Sequence, residues 1–210
     1  DYEGALANYN KAIELDDKSP TFYKNRGEVK TILKDYSGAI ADYNKIIKLY
    51  PSEDNTYYAL IYFEIGKSKN LLEDYSGAIE DLNRAIELGT GFAAAYSYRA
   101  SSKNSLKDYS GAIEDYTKTI ELRPEWKVSY NNRGNAKSNL KDYSGAIADF
   151  TKAIELNPDY TYAYRNRGDV KHILKDYNGA IADFTKAIEL NPDYDIAYRN
   201  RGDVKHILKD

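Results

Sequence analysis

Apolar residues recur along the chain with the spacing of amphipathic helices. In segment 39–47 (Ala-Ile-Ala-Asp-Tyr-Asn-Lys-Ile-Ile) the apolar positions follow i, i+1, i+4, i+7 and i+8, which places them on one side of a helix. A short polar turn precedes this pattern. Because a proline ring has no N–H, this helix is predicted to end before the prolines that follow its equivalents, at Pro51, Pro124, Pro158 and Pro192.

The pattern repeats. The string Asp-Tyr-x-Gly-Ala-(Ile/Leu) begins at Asp1, Asp35, Asp74, Asp108, Asp142 and Asp176. The spacing is 34 residues except between Asp35 and Asp74, where it is 39, so five residues are inserted around 54–58. Each period holds two helical patterns, and the chain is predicted to form twelve helices. Each aspartate of the string is expected to cap the second helix of its period, and Asp159 and Asp193 to cap the next first helix.

The repeated positions resemble the tetratricopeptide repeat, whose signature spans 34 residues. In the copy that starts at Thr161, six slots of that signature are filled, by Tyr164, Gly168, Ala180, Phe184, Ala187 and Pro192. The resemblance covers the whole chain and implies an all-α fold, a right-handed superhelical solenoid of antiparallel helix pairs. It divides residues 1–210 into 1–19 (half repeat), 20–58 (with the insertion at 54–58), 59–92, 93–126, 127–160, 161–194 and 195–210 (half repeat).

Two columns depart from the family pattern. The Leu slot holds arginine except at Ile65, and the first-helix Tyr slot holds lysine throughout. Since a buried arginine needs a partner, we expect four ion pairs, Arg26–Asp42, Arg99–Asp115, Arg133–Asp149 and Arg167–Asp183, while Asp81 lacks that partner opposite Ile65. The alternative is that the arginine stems lie flat with their head groups in water.

Candidate ligand contacts follow from the groove that first helices line in this family. Asn131, Asn135 and Asn139 are spaced i, i+4, i+8 on one side of a helix, and amides can hydrogen-bond a peptide backbone. A second column holds Asn25, Asn132, Asn166 and Asn200 and resembles the asparagine ladder of O-linked N-acetylglucosamine transferases. The alternative is that these amides only solvate the groove.

The last two first helices carry a stripe of mixed charge in the same expected groove. It comprises Tyr162, Arg165, Asp169, His172 and Ile173, and then Ile196, Arg199, Asp203, His206 and Ile207. The two histidines invite a metal site with the aspartates, but the duplication of this segment explains their spacing, and no metal is expected. Segment 89–94 formally fits a dinucleotide fingerprint but follows a helix, so no cofactor is expected either.

The inserted region is more apolar than the other first helices and is expected to lengthen its helix by more than one turn. Leu60 and Phe63 are the residues expected to face the groove. This region is either a hydrophobic patch for a partner or buried against a neighbouring repeat.

Some family members clamp the C-terminal carboxylate of chaperone peptides; here Glu28 and Asn131 stand where that clamp needs Asn and Lys, which disfavours such a ligand.

Composition narrows the class of function. The 30 Lys and Arg against 33 Asp and Glu give a formal charge of −3, without basic runs, so nucleic acid is not an expected partner. The absence of cysteine excludes disulfides and thiol chemistry but does not fix the compartment, for which a cytoplasmic location is the expectation. No apolar stretch reaches the length of a membrane span, so no membrane contact is expected. Asp1 is not expected to be the translated start, so the chain is interpreted as a fragment or processed product.

These features favour a protein-interaction scaffold that binds an extended peptide or a helix in the concave groove. No nucleophile, base or metal constellation indicates an enzyme. The alternative is a structural module: the chain opens with a second helix and closes with a first helix, so copies could stack head to tail through these half repeats.

Overall fold

The computed structural model describes residues 1–51, 55–89 and 91–208. Over these residues the secondary structure is entirely helical, and the predicted number of twelve helices is confirmed. The helices are α1 (Tyr2–Leu15), α2 (Pro20–Ile32), α3 (Tyr36–Leu49), α4 (Asn55–Leu71), α5 (Tyr75–Leu88), α6 (Ala93–Ser105), α7 (Tyr109–Leu122), α8 (Lys127–Asn139), α9 (Tyr143–Leu156), α10 (Thr161–Ile173), α11 (Tyr177–Leu190) and α12 (Asp195–Ile207).

The chain forms two compact units, Asp1–Leu106 with helices α1 to α6 and Lys107–Asp210 with helices α7 to α12. Within each unit, helices that follow one another in sequence pack together. The even-numbered helices α2, α4, α8 and α10 each form a hairpin with the helix that follows. The all-α repeat fold is therefore as predicted. The single solenoid over 1–210 and its division into seven repeat and half-repeat segments stay a prediction.

Each odd-numbered helix begins at a capping aspartate, as the repeated string predicts. Asp35, for example, accepts a hydrogen bond from the backbone N–H of Gly38 at 2.9 Å, and the same cap recurs in α1, α5, α7, α9 and α11. A Cβ atom at Gly38 would collide with the Asp35 carboxylate. The glycine of the string therefore makes room for the cap.

The predicted caps at Asp159 and Asp193 are wrong. The residues at the N-caps of α10 and α12 are Tyr160 and Tyr194, and neither makes a side-chain cap. The aspartates lie one residue too early, inside the turn, where the Asn157 side chain accepts a hydrogen bond from the backbone N–H of Asp159 at 3.0 Å. The turn is thus closed by asparagine, as in other Asx turns.

Close approach within a hairpin explains the glycines of the even-numbered helices. A Cβ added to Gly168 in α10 would lie 2.7 Å from the ring of Phe184 in α11, which is fully buried. Gly134 and Phe150 repeat this contact between α8 and α9. Gly202 in α12 has no atom within 4 Å of the equivalent position, because no second helix of the described residues covers it.

Three of the four predicted arginine–aspartate pairs are confirmed. Arg133 Nε lies 2.9 Å from Asp149 Oδ2 and Arg133 Nη2 lies 2.7 Å from Asp149 Oδ1. The pairs Arg26–Asp42 and Arg167–Asp183 have the same two-pronged geometry. The fourth pair, Arg99–Asp115, would join the two units and stays a prediction.

Each of these arginines also contacts the preceding helix and a tyrosine of its own helix. Arg133 Nη1 donates to Thr117 Oγ1 of the preceding helix α7 at 3.0 Å, and its guanidinium carbon lies 5.7 Å from the ring centroid of Tyr130. Lys137, one turn further along α8, places its Nζ 2.8 Å from Asp149 Oδ2. We call this group of arginine, aspartate, lysine and tyrosine the polar clamp. It explains why arginine and lysine replace the apolar residues of the family pattern.

The exception at Ile65 is also as predicted, since no arginine pairs with Asp81 among the described residues. Instead, Lys69 Nζ lies 2.6 Å from Asp81 Oδ2. Burial raises the pKa of Asp81 above its ordinary value, and Lys69 opposes that effect without cancelling it. Ile65 itself is buried in an apolar cluster with Tyr43 and Ile46.

We expect Asp149→Asn to lower the free energy of unfolding by about 3 kcal/mol or more, because Arg133 and Lys137 would lose the carboxylate of a buried pair. The matched variant Asp81→Asn should cost about 1 kcal/mol or less, since only one charge contact is lost. Because the folded state binds a proton at Asp81 more tightly than the unfolded state, the wild type should gain stability over Asp81→Asn as the pH falls from neutral through the folded pKa. Urea unfolding at neutral and acidic pH measures both effects; equal costs for the two variants would contradict the clamp.

Candidate functional site

The first-helix surface of the second unit carries most of the candidate ligand contacts. In this unit α10 packs between α8 and α12, so the three helices lie side by side. We call the residues that these helices present the α8–α10–α12 surface. Its side chains divide into those bonded to one another and those that are exposed.

Two of the predicted asparagines are buried and bonded to each other. Asn131 in α8 is 5% exposed and Asn166 in α10 is 7% exposed. Asn166 Nδ2 donates to Asn131 Oδ1 at 2.8 Å, and Asn131 Nδ2 donates to Asn132 Oδ1 at 3.3 Å. These amides therefore join α8 to α10, as a buried polar group requires a partner.

Asp169 joins α10 to α12 in the same way. It accepts from Arg165 Nη1 at 2.9 Å on one oxygen and from Asn200 Nδ2 at 2.7 Å on the other. Arg165 Nε also donates to the Tyr194 hydroxyl at 3.2 Å. Burial by itself would lower the pKa of Arg165, but the bonds to Asp169 and Tyr194 outweigh it and the pKa is raised. Arg165 is thus held charged in a fixed position.

The remaining candidates are accessible. Tyr162 is 57% exposed, with its ring 5.9 Å from that of Tyr194. Arg199 and Asp203 in α12 are exposed, and no ion pair joins them in the described residues, unlike their equivalents in α10. Of the asparagine row in α8, Asn139 is exposed, and Asn132 and Asn135 are partly exposed.

The two histidines lie near the other end of their helices. His172 is partly buried with its ring 6.0 Å from that of Tyr177, and His206 is exposed. Over the described ranges no three histidine, cysteine or acidic side chains are grouped so that they could hold a metal ion. Nor does any described helix combine the length and the apolar character needed to cross a bilayer.

In the first unit, the apolar segment at the insertion is mostly buried. Helix α4 has 17 residues against 13 in α2, α6 and the other first helices, so the expected extra turn is present; Asp54 lies outside the described residues. Phe63 is 8% exposed and packs against Phe92, with ring centroids 4.6 Å apart, and against Tyr98. Leu60 is 37% exposed.

An open pocket of about 650 Å³ adjoins Leu60. Its lining comes from the start of α4 and from the turn between α5 and α6, and consists of Thr56, Tyr57, Ala59, Leu60, Gly89, Gly91 and Phe92. Both segments depart from the repeat, the first by its added residues and the second by its missing proline.

Models of three related families match the chain. Two are described as tetratricopeptide repeat, over residues 128–160 and 21–53, and one as TPR repeat, over 1–31 and 168–207. The chain belongs to the tetratricopeptide repeat (TPR) family. Proteins of this family are typically non-enzymatic interaction scaffolds. Among curated protein sequences, none matches the chain significantly.

Solved structures share the TPR fold. YrrB, described as a TPR protein with an unusual peptide-binding site, is 21% identical with a TM-score of 0.74 and covers 92% of this chain and 97% of its own. MamA is 25% identical with a TM-score of 0.72, over 79% and 94% of the two chains. The first TPR of Spaghetti (RPAP3), bound to the HSP90 peptide SRMEEVD, is 27% identical with a TM-score of 0.56, over 58% and 97%.

Several contacts of this TPR surface were not predicted from the sequence. Tyr194 is not among the residues that the sequence predicts at the surface, yet its hydroxyl accepts a hydrogen bond from Arg165. The bond between Asn200 and Asp169 links residues 31 apart in sequence. The 34-residue spacing between Asn166 and Asn200 indicated neighbouring helices, but it could not tell which side chain each amide would meet.

We expect Asn166→Ala to lower the free energy of unfolding by about 1–3 kcal/mol, because Asn131 would lose a buried hydrogen-bond partner. The matched variant Asn139→Ala, on the exposed end of α8, should change it by about 0.5 kcal/mol or less. Urea unfolding followed by circular dichroism measures both. If Asn166→Ala proved as neutral as Asn139→Ala, the buried pair would not stabilise the fold.

Proposed function

We propose that this TPR protein binds an extended peptide or a helix of another protein on the α8–α10–α12 surface, without catalysing a reaction. The observation that carries the proposal is the division of the surface into two groups. Asn131, Asn166, Arg165, Asp169 and Asn200 bond one another, and their bonds hold three helices in register. Helices that are already held together need little backbone ordering on binding, which lowers the entropic cost of forming a complex.

The exposed group has the chemistry of a peptide-binding surface. Tyr162 offers a large ring that is kept in place by contact with Tyr194, and aromatic residues are frequent anchors at interfaces. Arg199 and Asp203 have opposite charges that are not paired with each other, so one can take an acidic and the other a basic group of a partner. Asn135 and Asn139 can bond a peptide backbone.

Binding of a chaperone C-terminus is not the proposed mode. The Spaghetti TPR is bound to an HSP90 peptide, but Asn131 stands where the clamp of such domains needs lysine, and here it is buried against Asn166. In the first unit, Lys24 Nζ lies 2.7 Å from Glu28 Oε1, so these two charges are paired with each other. We infer a ligand that is recognised along its length.

Peptides selected from a random display library on the full chain test this proposal. We expect Tyr162→Ala and Arg199→Ala each to weaken the selected peptides tenfold or more, which corresponds to about 1.4 kcal/mol. The control Lys186→Ala changes an exposed residue of α11, a second helix, and should leave affinity unchanged. Isothermal titration calorimetry measures the constants, and equal affinities for all three variants would reject the surface.

A second candidate function is head-to-tail self-association, in which α12 of one copy pairs with α1 of the next. None of the residues of α1 is buried, and Tyr9 stands where α3 has Tyr43, the ring that fills the space beside Gly27. Gly202 offers the equivalent space in α12. Arg201 contacts Thr185 but no carboxylate of the described residues. Such a contact would propagate along a filament unless it closed into a ring.

The Asp slot of the clamp gives this candidate a sharp test, since α1 carries Asn8 there. We expect Asn8→Asp to strengthen self-association tenfold or more, because it would add a charged partner for Arg201 and Lys205. Arg201→Ala should remove that gain. Light scattering over a range of concentrations measures the assembly. A strictly monomeric Asn8→Asp variant would reject head-to-tail stacking.

A further inference from the structure

We propose that the pocket beside Leu60 in the first unit is an anchor site for a large uncharged side chain, aromatic or leucine-like, of a bound polypeptide. The inference rests on the proposed function, because it assigns a second contact to a protein that binds polypeptides. It concerns a different unit of the chain, so the two can be tested separately.

The pocket forms where two irregular segments meet. Helix α4 starts early, so Thr56 and Tyr57 extend beyond the usual first position of the repeat. Across the pocket, Gly89 and Gly91 occupy the positions that Asn157 and Asp159 hold in a regular repeat, and they remove two side chains from the turn. The added turn supplies a wall and the glycines leave space. The two departures are more than thirty residues apart in sequence.

The two glycines have distinct reasons to lack a side chain. A Cβ atom at Gly89 would lie 2.9 Å from the Cβ of Ala59, so the turn and the start of α4 are too close for a larger residue. Gly91 has a φ of +80°, which favours glycine, and its missing side chain would point into open space. Gly89 therefore allows the turn and α4 to approach closely, and Gly91 leaves the entrance of the pocket unobstructed.

The lining selects an uncharged group. No charged residue lines the pocket among the described residues; Ala59, Leu60 and Phe92 supply apolar surface, and Tyr57 and Thr56 supply hydroxyls. Burial raises the pKa of Tyr57, so its phenol stays neutral near physiological pH. A volume of about 650 Å³ is within the range of roughly 300–1,000 Å³ for ligand pockets. A charged side chain would lose its hydration here without a partner.

The position of Leu60 connects the pocket to a polypeptide rather than to a small molecule. Leu60 stands at the same place in its helix as Val128 in α8, Tyr162 in α10 and Ile196 in α12, which are spaced by multiples of 34 residues. Of these residues, Leu60, Val128 and Tyr162 are exposed. The pocket therefore opens beside a helix position that presents an apolar or aromatic side chain to solvent, as Tyr162 does in α10. Interface anchors fill such pockets.

The experiment uses the full chain and three probes followed by NMR of backbone amides. Acetyl-tryptophan-amide is the side-chain surrogate, acetyl-lysine-amide is its charged counterpart, and acetyl-Ala-Ala-Trp-Ala-Ala-amide adds flanking backbone. We expect saturable shifts at Leu60, Gly89 and Gly91 with the tryptophan probe and none with the lysine probe. The pentapeptide should bind at least threefold more tightly than the single residue.

A filled pocket should abolish this binding. Leu60→Trp places an indole over the space and is expected to weaken the tryptophan probe tenfold or more, while Val128→Trp, the same helix position in the second unit, should leave it unchanged. If Leu60→Trp does not fold, Thr56→Trp fills the pocket from an exposed position. Absence of saturable shifts, or equal binding of the lysine probe, would overturn the proposal. Weaker binding of the pentapeptide than of the single residue would also overturn it, since a small-molecule site would then be indicated.

The outcome is separable from the fate of the α8–α10–α12 surface. Selected peptides that lose affinity with Tyr162→Ala but not with Leu60→Trp, together with a silent tryptophan titration, would retain the proposed function and reject the anchor site. Saturable binding of the tryptophan probe, together with selected peptides whose affinity does not change with Tyr162→Ala, would retain the anchor site and reject the α8–α10–α12 surface.

Discussion

The structure depends on the buried aspartate of the second helices. Asp149 is only 4% exposed, and a buried carboxylate needs partners such as the guanidinium of Arg133 and the ammonium of Lys137. Because Arg133 also reaches Thr117 and stacks on Tyr130, a single side chain fixes α8 against both α7 and α9. A buried charge tolerates little displacement. This constraint holds the first helices in register, and the residues that they present to a ligand follow from that register.

The repeat phase made much of this predictable. A recurring arginine in a packing column, with an aspartate sixteen residues later, could only be reconciled with burial by pairing the two, and the pairs Arg26–Asp42, Arg133–Asp149 and Arg167–Asp183 exist. The lysines of the clamp were visible in the sequence as a column, but the sequence did not show that each contacts the same carboxylate as the arginine. The caps at Asp159 and Asp193 were predicted wrongly because an aspartate that caps a helix and an aspartate in the preceding turn differ by a single sequence position.

The ligand surface was less predictable, for a physical reason. A repeat column gives the side of the helix on which a residue lies, but not which of several polar groups within reach becomes its partner. Asn131 and Asn135 are on the same side of α8, and only Asn131 meets the amide of Asn166. Phe63 was expected to face the ligand, but it packs against Phe92 and Tyr98 instead. The pocket forms where two departures from the repeat lie next to each other in space, at the start of α4 and in the turn between α5 and α6. A comparison of repeat positions shows each departure but not that the two are neighbours.

Ile65 has a consequence for how the array responds to its surroundings. Where arginine would stand, it packs on Tyr43 and Ile46, so α3 and α4 meet through hydrocarbon contacts alone at that point. Concentrated salt weakens attraction between ions but leaves apolar burial largely intact. The contact at Ile65 therefore responds less to ionic strength than the hairpins built around Arg26, Arg133 and Arg167.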